Sequence, residues 1–391
     1  MDRLTNPYAP GAGRMPAALV GRDEQRAAWS TAMDRITAGR DDRSLVLYGL
    51  RGVGKTVLLS DLMRSAENND WITGFAEAGT GKSLRELMGE ALQLPLADLA
   101  RPDASERVRS ALKTFLSFQA SVTSEGTWTF GLDLDATNGS PANSGTLDLD
   151  LSQIVRAVSA AAGESGRGLA LLIDEAQDLT QEELTALCSV MHMATQRRWP
   201  VLIALAGLPS LPVKLGEAKS YAERLFSYHQ VRELTGHHAR AAIADPAAAQ
   251  EVIWDEDALH TVIGATSGYP YFLQEYGQAA WNAADETSAH ITYSDARVAH
   301  EAALRTLDNG FFRVRWERAT PTERDYLKAM AIDGDDGSSS GEVASRLGKK
   351  NTALGPIRAN LISKGLIYAP EHGRIAFTVP RMADFINRHI N

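Results

Sequence analysis

Short runs of consecutive apolar residues recur through the first 235 positions, and longer stretches with helical spacing follow them. The runs at 44–48, 169–173 and 201–206 carry almost no polar residue, the pattern of strands buried on both faces. Weaker strand signals lie at 71–76 and 228–234, and residues 127–135 alternate Trp128, Phe130, Leu132 and Leu134 with polar neighbours, as a half-buried strand does. Helical spacing is seen at 23–36, stopped by Gly39, at 57–65, at 83–92 with a close near Pro95, and at 151–162 and 181–197. A further helix ends over 221–226, and 138–145 reads as a turn-rich connection. Strands that alternate with helices predict a parallel sheet, because each parallel crossover needs a connecting element. Residues 21–235 are therefore expected to form an α/β domain.

Beyond Thr235 the strand signal ends, and residues 236–315 read as a helical domain. Breaks are expected at Pro246, at Gly268-Tyr269-Pro270 and at Asp308-Asn309-Gly310. Residues 316–391 open a third pattern: helices at 322–331, 342–347 and 352–364, then a hairpin over 366–379 turning at Glu371-His372-Gly373. Three helices and a hairpin predict a winged helix-turn-helix. Residues 1–20 show no period and read as an extended leader.

A length of 391 residues suits two or three folded units. With 44% hydrophobic and 23% charged residues the chain is neither disordered, collagenous nor disulfide-stapled. No apolar run approaches the roughly 18 residues that span a bilayer, so no membrane association is expected. The first residues lack a charged-then-apolar leader, and the single cysteine, Cys188, cannot make an internal disulfide. A cytoplasmic location is expected. The net charge is -9, but residues 320–391 hold 10 Lys and Arg against 8 Asp and Glu. Within 341–365, Arg346, Lys349, Lys350, Arg358 and Lys364 face Glu342 alone.

The strongest chemical signal is Gly49-Leu50-Arg51-Gly52-Val53-Gly54-Lys55-Thr56, a G-x-x-x-x-G-K-[ST] loop between a predicted strand and a predicted helix. Glycines let backbone N–H groups converge on phosphate oxygens, and the helix N-terminus adds positive potential. Lys55 reaches the β- and γ-phosphates, and Thr56 offers a hydroxyl to Mg²⁺. The expected nucleotide-binding set is Gly49, Gly52, Val53, Gly54, Lys55, Thr56 and Val57. Residues 76–83, Ala76-Glu77-Ala78-Gly79-Thr80-Gly81-Lys82-Ser83, match a relaxed form of the motif. They lack the leading glycine and are read as an ordinary strand-to-helix turn. The buried run at 169–173 ends in Asp174-Glu175. Asp174 suits the shell of Mg²⁺ and Glu175 the polarisation of an attacking water, so hydrolysis of ATP to ADP is expected. Gln177 either orients that water or simply starts a solvated helix.

Taken together, Val20-Gly21-Arg22-Asp23-Glu24, the Gly49 loop, the Asp174-Glu175 strand end and Gly268-Tyr269-Pro270 resemble the AAA+/STAND group of P-loop ATPases. The likeness is greatest to its prokaryotic origin-recognition-like and NB-ARC-like branch, which ends in a winged helix. The resemblance implies that Gly21 and Arg22 border the adenine and that Pro270 covers the nucleotide from the helical lid. It also implies that Arg224 is an arginine finger acting on the γ-phosphate, often across a subunit interface, with a plain surface ion pair to Glu223 or Glu217 as the alternative. Two features depart from the group. The 201–206 strand ends in Gly207-Leu208-Pro209 where a polar sensor is usual, and no arginine adjoins Gly268-Tyr269-Pro270.

The basic stretch places Lys349 and Lys350 at the turn and Arg358 and Lys364 on the presumed recognition helix, candidates for duplex DNA contact or for a solvated face. His237-His238 and Met191-His192-Met193 lack partners at zinc spacing. Cys188 reads as core. Asp133, Asp135, Asp148 and Asp150 read as outer faces of short strands. The function expected is an ATP-driven switch that repositions the winged helix for DNA or a partner. A STAND-type scaffold with slow turnover, assembling through homo-oligomer or other protein contacts, is the alternative.

Overall fold

The computed structural model describes residues 1–79, 81–120 and 142–389, and two compact units emerge from it. One comprises residues 22–48 and 55–230; the other comprises residues 1–21, 49–54 and 231–391.

In the first unit the apolar runs become strands β1 (Ser44–Tyr48), β2 (Ile72–Glu77), β3 (Leu169–Asp174), β4 (Val201–Gly207) and β5 (Phe226–Gln230). All pairs are parallel and the order is β2-β3-β4-β1-β5. Strands β3 and β4 are buried along their whole length, which is why their sequences need no alternation. β1 pairs with β4 on one side and β5 on the other, so its C-terminal end opens where the strand order reverses, the usual crevice of such sheets. Strand β5 begins and ends earlier than the 228–234 pattern predicts, because Val231 onward belongs to the other unit, where the Leu234 N–H donates to the Gly268 carbonyl at 2.9 Å.

Three further expectations for this unit are corrected. Helix Leu84–Leu99 runs through Pro95, which removes one backbone donor without ending a helix whose Leu92 and Leu96 are both buried. Helix Glu106–Ala120 adds to those predicted, with Leu112, Phe115 and Phe118 at helical spacing in the core. Asp148 and Asp150 lie on helix Leu147–Gly163, not on strands. The expected 127–135 strand, with Asp133 and Asp135, lies outside the described residues.

Asp150 is fully buried and pairs with Arg85 at 2.6 Å, while the Ser144 N–H and hydroxyl each donate to its other oxygen at 2.8 Å. Burial alone would raise its pKa, but the Ser144 and Arg85 contacts outweigh burial and hold the carboxyl below its ordinary value. Asp150→Asn is expected to destabilise the unit by about 3–5 kcal/mol in urea unfolding, since it breaks a buried ion pair by removing one partner. Because the folded carboxyl titrates low, the contribution is complete above the usual carboxylate pKa near 4 and is lost as pH falls through the lowered folded value.

In the second unit, helices Gly236–Ala248, Glu256–Thr266, Pro270–Ala283 and Tyr293–Thr306 gather beside a two-stranded ribbon of β6 (Ile253–Trp254) and β7 (His290–Ile291). The ribbon corrects the all-helical reading of this region. The N-terminal segment is packed: Tyr8 is buried, donates to the Ile243 carbonyl at 2.6 Å and accepts from Trp254 Nε1 at 2.8 Å. The break expected around Pro246 is present, since helix Gly236–Ala248 ends two residues after that proline. The break expected at 308–310 is absent: Leu307–Phe312 continues the chain as a π-helical stretch whose buried Asp308 receives Arg388 at 2.8 Å and His389 at 2.7 Å.

Helices Pro321–Ala331, Ser340–Arg346 and Gly355–Ser363 follow, with a three-stranded sheet of β8 (Ser338–Ser339), β9 (Ile367–Tyr368) and β10 (Arg374–Phe377) in the order β8-β10-β9. Both pairs are antiparallel. A further helix, Met382–His389, closes the described chain.

Candidate nucleotide-binding site

The glycine-rich loop leaves β1 and enters helix Lys55–Asn68 directly. Gly52 and Gly54 adopt φ of +86° and +91°, which L side chains rarely tolerate. Lys55, the first helical residue, is 7% exposed. The Thr56 hydroxyl donates to Asp174 Oδ2 at 2.5 Å. Residues 118 positions apart in sequence thus meet at the end of β3. A hydroxyl beside a carboxylate is a hard oxygen pair, which fits Mg²⁺ in chemistry. Burial pushes the Asp174 carboxyl up, and the nearby Glu175 charge adds to this, while the Thr56 hydroxyl, the Glu175 N–H and Lys55 act against it.

Glu175 sits in the left-handed region at φ 47°, ψ 34°, a conformation that costs a non-glycine residue about 1–3 kcal/mol. Its N–H donates to Asp174 Oδ1 at 2.8 Å, and its carboxylate accepts from Gln177 Nε2 at 2.6 Å. Gln177 is itself buried, and its Oε1 accepts the Leu208 N–H at 2.9 Å while its carbonyl accepts Lys214 Nζ at 2.6 Å. The residue is therefore a core bridge and not a solvated helix start. It ties the Glu175 side chain to the end of β4, where the sequence offers no polar sensor. A Cβ on Gly207 would lie 2.7 Å from Gln177 Oε1, so a glycine at that strand end leaves room for the bridge. The one sequence signal for this role was the position of a glutamine two residues past the acidic pair.

Residues 49–54 have their own neighbours within the second unit. The Arg51 N–H donates to the Thr378 carbonyl at 3.1 Å, and the Tyr271 N–H donates to the Gly52 carbonyl at 3.3 Å. The Tyr269 ring edge lies 2.9 Å, and its hydroxyl 3.5 Å, from where a Cβ on Gly52 would stand. Pro270 is the first residue of its helix and half-buried, and it is these two flanking tyrosines that meet Gly52. Gly21 lies against Leu234 and His238, while Arg22, in the other unit, is 7% exposed at the start of helix Asp23–Thr37. Val53 is buried and Val57 half-buried.

The competing loop at 76–83 is otherwise engaged. Lys82 is exposed and paired with Glu90 at 2.6 Å, and the Ser83 hydroxyl serves a capping box with Glu86. Its lysine and hydroxyl, the groups a phosphate would need, already face carboxylates. Arg224 is exposed on the short helix Ala222–Leu225, 3.7 Å from Glu223. In the basic stretch, two charges are answered by acids outside it: Arg346 pairs with Asp333 at 2.5 Å and Lys364 with Glu323 at 2.6 Å. Arg358 donates to Asn351 at 3.2 Å, while Lys349 and Lys350 are exposed. Cys188 is buried, and burial pushes its thiol up to about 11. Among the described residues no group of three or more His, Cys, Asp or Glu could hold a metal ion, and no helix is long and apolar enough to cross a membrane.

Residues 18–204 match the model of the AAA ATPase domain family. The chain carries an AAA ATPase domain. The matched span of that domain contains the Gly49 loop, Asp174, Glu175 and Gln177, and it ends before Arg224 and Pro270. Residues 309–386 match a domain of unknown function, DUF8462. Among solved structures, the chain is similar to a Walker-type ATPase of Pyrococcus abyssi, with a TM-score of 0.60 and 16% identity over 94% of this chain and 96% of that one. This likeness shows that the AAA ATPase domain and the helical regions after it share that protein's fold. Weaker likenesses link the chain to Cdc6p from Pyrobaculum aerophilum, at TM-score 0.46 and 14% identity over 99% and 97% of the two chains. The Aeropyrum pernix Orc1 protein in complex with DNA matches at TM-score 0.44 and 14% identity over 96% and 94%. No curated protein matches the chain.

Proposed function

We propose that the chain is a Mg²⁺-dependent ATP-hydrolysing switch whose nucleotide state sets the position of residues 316–391, read as a winged helix, for duplex DNA or a protein partner. The observation that supports this reading is the 2.5 Å contact between Thr56 and Asp174, which brings together the loop hydroxyl and the strand-end carboxylate that the reading assigns to Mg²⁺. Thr56 and Asp174 would hold Mg²⁺, which when bound offsets charge on the phosphates. Lys55 would bind the phosphates, Gly21 and Arg22 would border the adenine, and Pro270 would lie over the nucleotide. Glu175 would take the proton of the attacking water, held in place by Gln177. The domains follow as a leader at 1–20, an ATPase domain at 21–235, a lid at 236–315 and a winged helix at 316–391.

A scaffold reading with slow turnover draws on the end of β4. There Gly207-Leu208-Pro209 supplies no polar side chain, and Gln177 engages Glu175 instead. Duplex binding by the full chain, titrated against salt, separates the two. For DNA contact, log K should fall linearly with log salt by about 0.9 per phosphate neutralised, and removing Lys349 and Lys350 together should flatten the slope by about 2. A response independent of salt would discard the DNA reading and leave the scaffold. Arg224 is proposed to act across a subunit boundary, in keeping with its exposure. Mixing Arg224→Ala with Glu175→Gln protein should then recover turnover that neither has alone. Absence of recovery assigns Arg224 to its surface pair with Glu223.

A further inference from the structure

Helices Pro270–Ala283 and Tyr293–Thr306, the π-helical stretch Leu307–Phe312 and the closing helix Met382–His389 surround a cavity of about 170 Å³. All four elements belong to the second unit. Much of the lining is apolar: Phe272, Leu307 and Phe312 are buried, and Leu304 is half-buried beside them. An apolar cavity of this size has room for one six-membered ring.

The rest of the lining is polar, with Arg381 and Arg388 as its cations, Asp384 as its acid, and Tyr276 and His300 between the helices. The Tyr276 hydroxyl is buried and stands 3.3 Å from His300 Nδ1. Burial raises its pKa, the charges of Arg381 and Arg388 lower it, and Asp308 raises it, so both guanidiniums act on one phenol. Arg388 gives Nη2 to Asp308 at 2.8 Å, and Arg381 gives Nη1 to the Ala265 carbonyl. Arg388 Nη1 and Arg381 Nη2 are left without a hydrogen-bond partner among the described residues. Asp384 stays 3.8 Å from Arg381 Nε, beyond hydrogen-bond length.

Two backbone irregularities build this lining. Arg381 holds a φ of 62°, in the left-handed region that non-glycine residues seldom enter. The π-helical stretch, a form found mostly at functional positions, supplies Leu307 and Phe312 to the cavity and Asp308 to Arg388.

We propose that this cavity binds a small monocarboxylate whose apolar body is about the size of one ring. The body would lie against Phe272, Leu304, Leu307 and Phe312, and the carboxylate would meet Arg381 and Arg388. Guanidiniums offer a carboxylate N–H donors in a matching fork, and the Tyr276 hydroxyl adds one O–H. Two arginines against one loosely placed acid favour an anion over an amine, because Asp308 is already engaged by Arg388 and His389. An occupant would tie the closing helix to the two long helices and raise the melting temperature of the chain.

Fluorine NMR titration of the full chain with fluorobenzoate, fluorobenzene and fluorobenzylamine tests this. Fluorobenzoate should bind saturably, about tenfold tighter than fluorobenzene, with fluorobenzylamine weakest. Arg381→Gln should cost fluorobenzoate about tenfold and leave fluorobenzene unchanged, a split that general loosening of the fold does not produce. Leu304→Trp fills the cavity and should remove binding of both. Should the tryptophan lower the ligand-free melting temperature, the Arg381→Gln split decides alone. The proposal is overturned if fluorobenzoate shows no saturable binding up to about 10 mM, or if fluorobenzylamine binds as well as fluorobenzoate. Fluorobenzoate affinity unchanged in Arg381→Gln, or in a Leu304→Trp protein of normal melting temperature, overturns it too. Binding here needs no nucleotide, so either result leaves the nucleotide reading untouched.

Discussion

Lys55→Ala is expected to abolish detectable binding of ATP and ADP, whereas Lys82→Ala should bind both as the wild type does. The two lysines follow closely similar sequences, and each stands between a parallel strand and a helix, so the surroundings must decide between them. Lys55 is held inside the structure at the first turn of its helix, next to the hydroxyl that bonds Asp174. Lys82 is exposed, and its ammonium is satisfied by Glu90. Phosphate at Lys82 would have to displace a carboxylate and break a helix cap, while phosphate at Lys55 meets a helix N-terminus and left-handed glycines. Loss of a charge-assisted contact in a water-poor site is expected to weaken binding by a hundredfold or more, about 3 kcal/mol. Equal losses in the two variants would transfer the site to the 76–83 loop or divide it.

Glu175→Gln is expected to retain ATP with near wild-type affinity and to lose turnover by about two to four orders of magnitude, the scale of a removed general base. The substitution keeps shape and hydrogen bonding but removes the carboxylate. The strained backbone at Glu175 and the 2.6 Å contact from Gln177 indicate a side chain held in one orientation at some cost. Such a cost is common where chemistry is done. ATP binding by calorimetry and single-turnover hydrolysis together check the outcome. Turnover equal to wild type would remove Glu175 from the mechanism.

The parallel sheet was legible because its strands are buried on both faces, and continuous apolar runs are hard to read otherwise. The loop and the acidic strand end were equally legible, since both are local in sequence. What pairs them, Thr56 on Asp174, is a contact over 118 residues that only the sheet order creates. Gln177 was visible as a residue but not as a bridge, because its role depends on Leu208 arriving from β4. Pro95 misled in a different way. It signals a helix end by lacking a donor, yet burial of Leu92 and Leu96 keeps the helix going to Leu99. Charge counts along the chain overstated the basic stretch, since Asp333 and Glu323 answer Arg346 and Lys364 from outside it.

Calorimetric titration of the folded wild-type chain with ATP and with ADP, each with Mg²⁺, bears most directly on whether the Gly49 loop is a nucleotide site. Saturable heat near one nucleotide per chain, absent from Lys55→Ala, is the predicted result. Heat that is absent from folded wild type, or that survives unchanged in Lys55→Ala, contradicts it.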